Sequence, residues 1–306
     1  MKKNPPWHTE YPLTAHDVQS ILGSQFPELA CLQIEKLGEG WDNTTWTIND
    51  QWVFRFPKHE LAAELIQNEI RLLPLLQNLP VSVPKPQFIG QPHISCPYVF
   101  YGHAFLTGKT ADRFCLNREA RAELAEPIGH FLKQLHAFPL TKAVELGVTY
   151  DQRMRIELGF RFEKTKEQLE YLVGQGVLSN IEPWHSFFKS CQTLEMSPLQ
   201  VLGHGDFYAR HLLLNEDHSL ASVIDWGDAE IIHPAIDLAI AYQFIPPEAQ
   251  PVFWKTYGDV SETTHTMAKL RGIYSATGMA WYSVEVNDET LLQEALQALN
   301  FIAETL

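Results

Sequence analysis

The spacing of apolar and polar residues changes several times along the chain, and each change marks an element. Residues 14–26 read as a short helix, with Thr14 as N-cap and Asp17 three residues on as a variant capping box. Residues 32–37, 44–48 and 52–56 are short β-like runs, and Asn49-Asp50-Gln51 joins the last two as a hairpin. Helical spacing then returns over residues 61–77 through Leu61, Leu65, Ile70, Leu72, Leu73 and Leu76, with Pro74 near the end. Pro80, Pro84 and Pro86 mark an extended connector, and residues 88–89 and 98–105 follow as further strands. Beyond Gly108 the segments 118–136, 152–173, 234–244, 247–257, 262–284 and 289–305 all read as helices. The exception is 199–225, where the apolar runs 212–214 and 222–224 predict a hairpin. The expected class is α+β: a small β-sheet lobe over residues 1–103 and a mainly helical lobe over 104–306, divided near Ala104–Gly108.

Composition sharpens this only in part. A chain of 306 residues has room for one large domain or two modest ones, and 45% hydrophobic with 20% charged residues excludes wholesale disorder. The formal charge of −14 disfavours nucleic acid and anionic membrane as partners. It suits a cationic ligand, or it serves solubility alone. Cys31, Cys96, Cys115 and Cys191 form no CxxC pair and predict reduced, mostly buried thiols. No run approaches the ~18 apolar residues of a membrane span, and none follows the basic start. A cytoplasmic protein is expected.

The densest polar cluster is Gly203-His204-Gly205-Asp206-Phe207-Tyr208-Ala209-Arg210-His211, followed by Ile224-Asp225-Trp226-Gly227-Asp228. Two carboxylates, each behind a short apolar run and with a possible metal ligand between them, would converge at the mouth of a hairpin. Phosphoryl transfer asks for that set: one carboxylate to orient a hydroxyl, another to hold magnesium on the phosphates. Taken singly, His204, Asp206 and Asp225 would be turn residues capping strand ends. A metal-dependent hydrolase built on His204, Asp206, His211 and Asp225 is a weaker alternative, because HExxH and His-rich signatures are missing.

At these residues the sequence resembles the aminoglycoside phosphotransferase family, small-molecule kinases with a protein-kinase-like fold that include macrolide phosphotransferases. His204-Gly205-Asp206 with His211 is similar to the family's HGDxxxxN loop, and Ile224-Asp225-Trp226 to its metal-binding segment. Leu37-Gly38-Glu39-Gly40 looks like the nucleotide loop, Val53-Phe54-Arg55-Phe56 like the third strand, and Asn68-Glu69-Ile70 like the helix carrying a paired glutamate. Pro234-Ala235-Ile236-Asp237 looks like the segment after the metal site. The resemblance implies a nucleotide-dependent O-phosphotransferase, using ATP or GTP with Mg²⁺ or Mn²⁺, monomeric, with a small-molecule acceptor. It implies Asp206 as the group that orients or accepts the hydroxyl proton. It pairs Arg55 with Glu69, sets Gly38 and Gly40 at the phosphates, and Ala104 and Leu106 in the hinge that pairs with the purine. It assigns Asp225 and His211 to metal, Asp237 to bracing the catalytic loop and His204 to supporting it.

Two departures matter: Arg55 replaces the usual lysine, and His211 the usual asparagine. Lys58 would point to the opposite face of a continuing strand and is a poor substitute. Macrolide phosphotransferases tolerate both changes, which raises the macrolide reading; a non-catalytic kinase-like nucleotide-binding protein is the other alternative. Asp228 and Glu230, beside the metal segment, are the acidic candidates for holding a cationic, aminoglycoside-type acceptor. Glu157, Glu163, Glu167 and Glu170 read as a solvated helix face. Phe253, Trp254, Tyr257, Trp281 and Tyr282 could line an apolar pocket or form core.

Overall fold

The computed structural model describes residues 9–30, 33–155, 157–191, 194 and 198–306. Cys31 lies outside them, as does the start of the predicted strand 32–37. By its contacts the chain divides into two compact units. The first runs up to Asn78, resumes at Ser82–Thr107 and includes the short segment Asp225–Asp228; the second holds Leu79–Val81, Gly108–Ile224 and Ala229–Leu306.

In the first unit, helix α1 (Ala15–Gln25) begins with the capping box of Thr14 and Asp17. Strands β1 (Ile34–Glu39), β2 (Asn43–Ile48), β3 (Trp52–Pro57), β4 (Phe88–Gly90) and β5 (Phe100–Ala104) form an antiparallel sheet in the order β1-β2-β3-β5-β4. Asn49 and Asp50 close the β2–β3 hairpin with φ of 53° and 52°, the left-handed pair that a tight hairpin turn demands and that Asn and Asp tolerate. Helix α2 (Glu60–Leu72) stops short of the predicted end at residue 77, and Pro74 sits in a 3₁₀ turn, Leu73–Leu75. On β3, Phe54 and Phe56 pack with Val18, Ile21, Leu22 and Phe100 in one apolar cluster. Strand alternation therefore turns Arg55 to the other face.

The second unit contains the short strand β6 (Lys109–Thr110) and helices α3 (Arg118–Glu123), α4 (Ala125–His136), α5 (Leu140–Glu145), α6 (Leu158–Gly174) and α7 (Glu182–Ser190). After these come strands β7 (Val201–Gly203), β8 (Leu212–Leu214), β9 (Leu220–Val223) and β10 (Glu230–Ile232). The chain ends in α8 (Ala235–Leu238), α9 (Ile240–Gln243), α10 (Gln250–Tyr257), α11 (Glu262–Val286) and α12 (Glu289–Ala303). The helix predicted over 118–136 is two helices, because Pro127 has no N–H to donate to the carbonyl of Glu123. The predicted hairpin is β8–β9, and β6 joins its open edge. A second pair, β7–β10, was not anticipated; its strands are three residues long and too short for period-2 patterning to register. Cys96 and Cys191 are buried, whereas Cys115 is exposed, which corrects the expectation of mostly buried thiols at that position. Among the described residues no helix is long and apolar enough to cross a membrane.

Candidate active site

Asp206 owes its position to backbone geometry. The chain leaves β7 at Gly203, where an added Cβ would lie 2.2 Å from Ile232 and 2.7 Å from the Asp237 carboxylate, so no larger residue fits. Gly205 follows at φ 83°, a left-handed conformation that glycine adopts without strain. Asp237, fully buried on α8, clamps this turn: its Oδ2 accepts from the His204 amide at 2.7 Å and its Oδ1 from the Gly205 amide at 2.9 Å. His136 Nε2 donates to the same carboxylate at 3.1 Å, and Tyr257 Oη completes the chain at His136 Nδ1, 2.8 Å away. Burial alone would raise the Asp237 pKa, but His136 and the loop amide outweigh it and hold the carboxyl below its ordinary range.

His204 is a neutral bracket. Its Nε2 donates to the Ile224 carbonyl at 2.9 Å, and its Nδ1 receives the Asp206 amide at 3.4 Å. Burial depresses its pKa, so the ring stays uncharged at neutrality. The Asp206 carboxylate itself is 39% exposed, open enough to meet a ligand. His211 is buried and points its Nδ1 at the Asp206 backbone carbonyl, 2.7 Å away. With Nδ1–H donating there, the lone pair is on Nε2, the tautomer in which imidazole can bind a metal.

In the sheet unit Arg55 connects two carboxylates. Its Nη1 lies 3.2 Å from Glu69 Oε1 and its Nη2 2.7 Å from Asp225 Oδ1. Burial disfavours the guanidinium charge, yet Glu69 and Asp225 hold its pKa well above normal. Burial likewise pushes the Glu69 carboxyl up, against the pull of Arg55. Tyr101, opposite Arg55 in the β3–β5 register, is fully buried against this pair. Asp225 adopts φ 63°, a conformation that costs a non-glycine residue about 1–2 kcal/mol. Its carboxylate is half exposed, and Arg55 Nη2 holds one of its two oxygens.

The remaining expectations place as follows. Gly38 lies at a β-bulge with open space where a Cβ would be, whereas the Gly40 amide is already bonded to the Asn43 carbonyl at 2.9 Å. Lys58 is buried and braces this turn through Glu39 at 3.0 Å and the Gly40 carbonyl at 2.9 Å, a role that strand alternation alone did not reveal. At the end of β5 the Ala104 carbonyl faces His103 Nδ1 at 2.8 Å and the Phe105 amide bonds Gln51; Leu106 makes no backbone bond among the described residues. Glu230 is held by Arg155 at 2.5 Å and by Thr149, while Asp228 is partly exposed. Phe253 is core against α4, and Trp254 packs on His265, so these two aromatics do not line an open pocket.

Among the described residues no group of three or more His, Cys, Asp or Glu is assembled for a metal. Mg²⁺ as a rule keeps waters and phosphate oxygens and takes one or two protein ligands. The Asp225 carboxylate is a hard oxygen donor of that kind, and His211 Nε2 would suit Mn²⁺ better.

Residues 33–273 match the model of the phosphotransferase enzyme family, APH. Among solved structures, the GDP and kanamycin complex of APH(2'')-IIIa is 25% identical with a TM-score of 0.69, covering 95% of this chain and 99% of its own. The streptomycin–ATP ternary complex of APH(2'')-IIa is 20% identical, with a TM-score of 0.60 and coverages of 96% and 98%. Macrolide 2'-phosphotransferase type I is 21% identical, with a TM-score of 0.53 and coverages of 92% and 96%. The antiparallel sheet unit and the mainly helical unit are the two parts of this kinase-like α+β fold. With its family model spanning the glycine turn, the Arg55–Glu69 pair, the Asp206 loop and Asp225, the chain belongs to the phosphotransferase enzyme family.

Proposed function

We propose that this chain is a nucleotide-dependent O-phosphotransferase that moves the γ-phosphoryl group of ATP or GTP to a hydroxyl of a small molecule, acting as a cytoplasmic monomer. The acceptor oxygen attacks γ-phosphorus, the bond to the β-phosphate bridging oxygen breaks, the nucleoside diphosphate leaves, and the hydroxyl proton passes to Asp206. The carrying observation is the double clamp of Asp237 on the His204 and Gly205 amides, which holds an exposed carboxylate at a fixed point without using its oxygens. Arg55, kept charged by Glu69, supplies a cation for the phosphates. The Gly38 turn, Ala104 and Leu106 would seat the nucleotide. Mg²⁺ or Mn²⁺, when bound, would neutralise phosphate charge, with Asp225 and His211 as its protein donors.

The kanamycin and streptomycin complexes of relatives make an aminoglycoside the first acceptor class to test, with Asp228 and Glu230 as the acidic residues in question. A macrolide is second, on the strength of Arg55 and His211. The test is a nucleotide-consumption screen over aminoglycosides, macrolides and amino alcohols, with mass detection of the phosphorylated product. Asp206→Asn is expected to keep the fold and nucleotide affinity and to lower turnover ~10²–10⁴-fold, the usual worth of a positioned base. Near-normal turnover in that variant would remove Asp206 from its role.

A further inference from the structure

The glycine turn of the sheet unit carries a charge of the wrong sign for a nucleotide. Glu39 stands between Gly38 and Gly40 at the end of β1, with its side chain 39% exposed. A carboxylate there repels any phosphate that approaches the turn. Two ammonium groups answer it. Lys36 Nζ lies 2.6 Å from Glu39 Oε2 and Lys58 Nζ 3.0 Å from Glu39 Oε1, and the Thr9 hydroxyl donates to Oε1 at 2.9 Å. Lys36 first, then Lys58, pull the Glu39 carboxyl down to about 2, so it stays ionised throughout the neutral range.

Lys58 does more than cancel charge. It is buried although it follows directly after β3, and burying an ammonium is costly unless its donors are met. Its Nζ donates to the Gly40 carbonyl at 2.9 Å, and its backbone amide donates to the Asp42 carbonyl at 2.8 Å. With the Gly40 amide bonded to the Asn43 carbonyl at 2.9 Å, both sides of the turn are fixed. A preformed turn avoids the ordering cost that a flexible loop meets on binding. Asp42, the other carboxylate of the turn, lies 3.5 Å from Nε2 of His59, the N-cap of α2.

We infer that Lys58 is a positioning residue for the nucleotide: with Lys36 it cancels the charge of Glu39, and through Gly40 it holds the glycine turn in the shape that receives the phosphates of a nucleoside triphosphate. Lys58 acts through Glu39 and Gly40, apart from Arg55, the cation proposed for the phosphates themselves. The inference rests on the seating of the nucleotide at the Gly38 turn proposed above.

The test measures the affinity of the full-length protein for adenosine, AMP, ADP and ATP, and for the guanosine series, by calorimetric titration, which reads binding without turnover. Lys58→Met keeps the length of the side chain and removes its charge. It should weaken triphosphate binding roughly 10-fold, the worth of one uncovered and partly screened charge, with smaller losses as phosphates are removed and none for the nucleoside. Adding Glu39→Gln to Lys58→Met should recover most of that loss. Because Lys58 is buried, the exposed Lys36 supplies a second variant that leaves the core untouched. Lys36→Gln should cost the triphosphate roughly 2–5-fold, the range for a surface pair, and Glu39→Gln should cancel that cost. Glu35→Gln, exposed on the same strand, should not cancel it, which separates the Glu39 pair from a general effect of net charge. Unchanged triphosphate affinity, an equal loss for nucleoside and triphosphate, no recovery with Glu39→Gln, or equal recovery with Glu35→Gln would each overturn the role of Lys58. Failure of the unmutated protein to bind either nucleotide series would instead overturn the nucleotide reading beneath it.

Discussion

Replacing Asp237 by asparagine tests the central mechanical claim, that a buried carboxylate holds the catalytic loop by its backbone. Asp237 accepts three hydrogen bonds, from the His204 and Gly205 amides and from His136. Asparagine is nearly isosteric but has one acceptor oxygen and one NH₂ group. If the oxygen keeps the His204 side, the NH₂ faces the Gly205 N–H, two donors head to head in a fully buried place. The unsatisfied amide costs about 1–3 kcal/mol, and the weakened charge-assisted bonds add about 1 kcal/mol. A loss of about 2–4 kcal/mol lowers Tm by roughly 5–10 °C for a unit of this size. Because the released turn is the one that presents Asp206, turnover should fall with stability while nucleotide affinity, which the proposed function assigns to the sheet unit, changes little. Thermal unfolding, urea titration and steady-state kinetics at a temperature where the variant is still folded measure all three. A variant with unchanged Tm and unchanged kcat would show that the clamp positions nothing.

Two further outcomes follow from the site. Asp225→Ala should abolish the magnesium dependence of nucleotide binding in calorimetric titrations, while metal-free binding survives at reduced affinity because Arg55 loses a partner as well; an unchanged magnesium effect would mean that another residue holds the ion. Burial depresses His103 and His233 to about 4, against ~6.5 for an unfolded histidine, so each contributes stability that is whole above pH ~6.5 and lost as pH falls toward 4, about 3 kcal/mol per residue. Tm should decline steadily across that window, and His103→Gln should flatten the decline; a flat profile in the unmutated protein would refute the neutral, buried state of these rings.

What the sequence made legible was local. The Thr14–Asp17 box, the Asn49-Asp50 turn and the alternation that separates Phe54 and Phe56 from Arg55 are each decided within a few residues. The HGD turn was legible for the same reason, since Gly205 must take a conformation that other residues resist. Contacts between distant residues were not. Nothing near Lys58 announces Glu39 as its partner, and nothing near Glu230 announces Arg155, 75 positions away. The β7–β10 pair escaped notice because three-residue strands carry no period, although it brings Gly203 against Ile232 and Asp237. His136 and Tyr257 read as ordinary helix residues; only packing of α10 on α4 puts them behind Asp237.

The acidic balance of the whole chain and the charges held inside the helical unit act over different distances. A net charge of −14 is spread over the surface, and each unit of it acts through a Debye length of ~8 Å at physiological salt. Much of it lies on exposed side chains such as Glu163, Glu167 and Glu170 along α6, a solvated face whose field is screened. Arg155, buried between Asp151 and Glu230, instead acts inside the helical unit, where a lower local dielectric strengthens every interaction between charges. A ligand approaching from solution meets the diffuse field first, which affects its rate of arrival; a ligand in place meets only the few charges around it, which decide whether it stays. An acceptor selected by the site is therefore chosen by these few local charges.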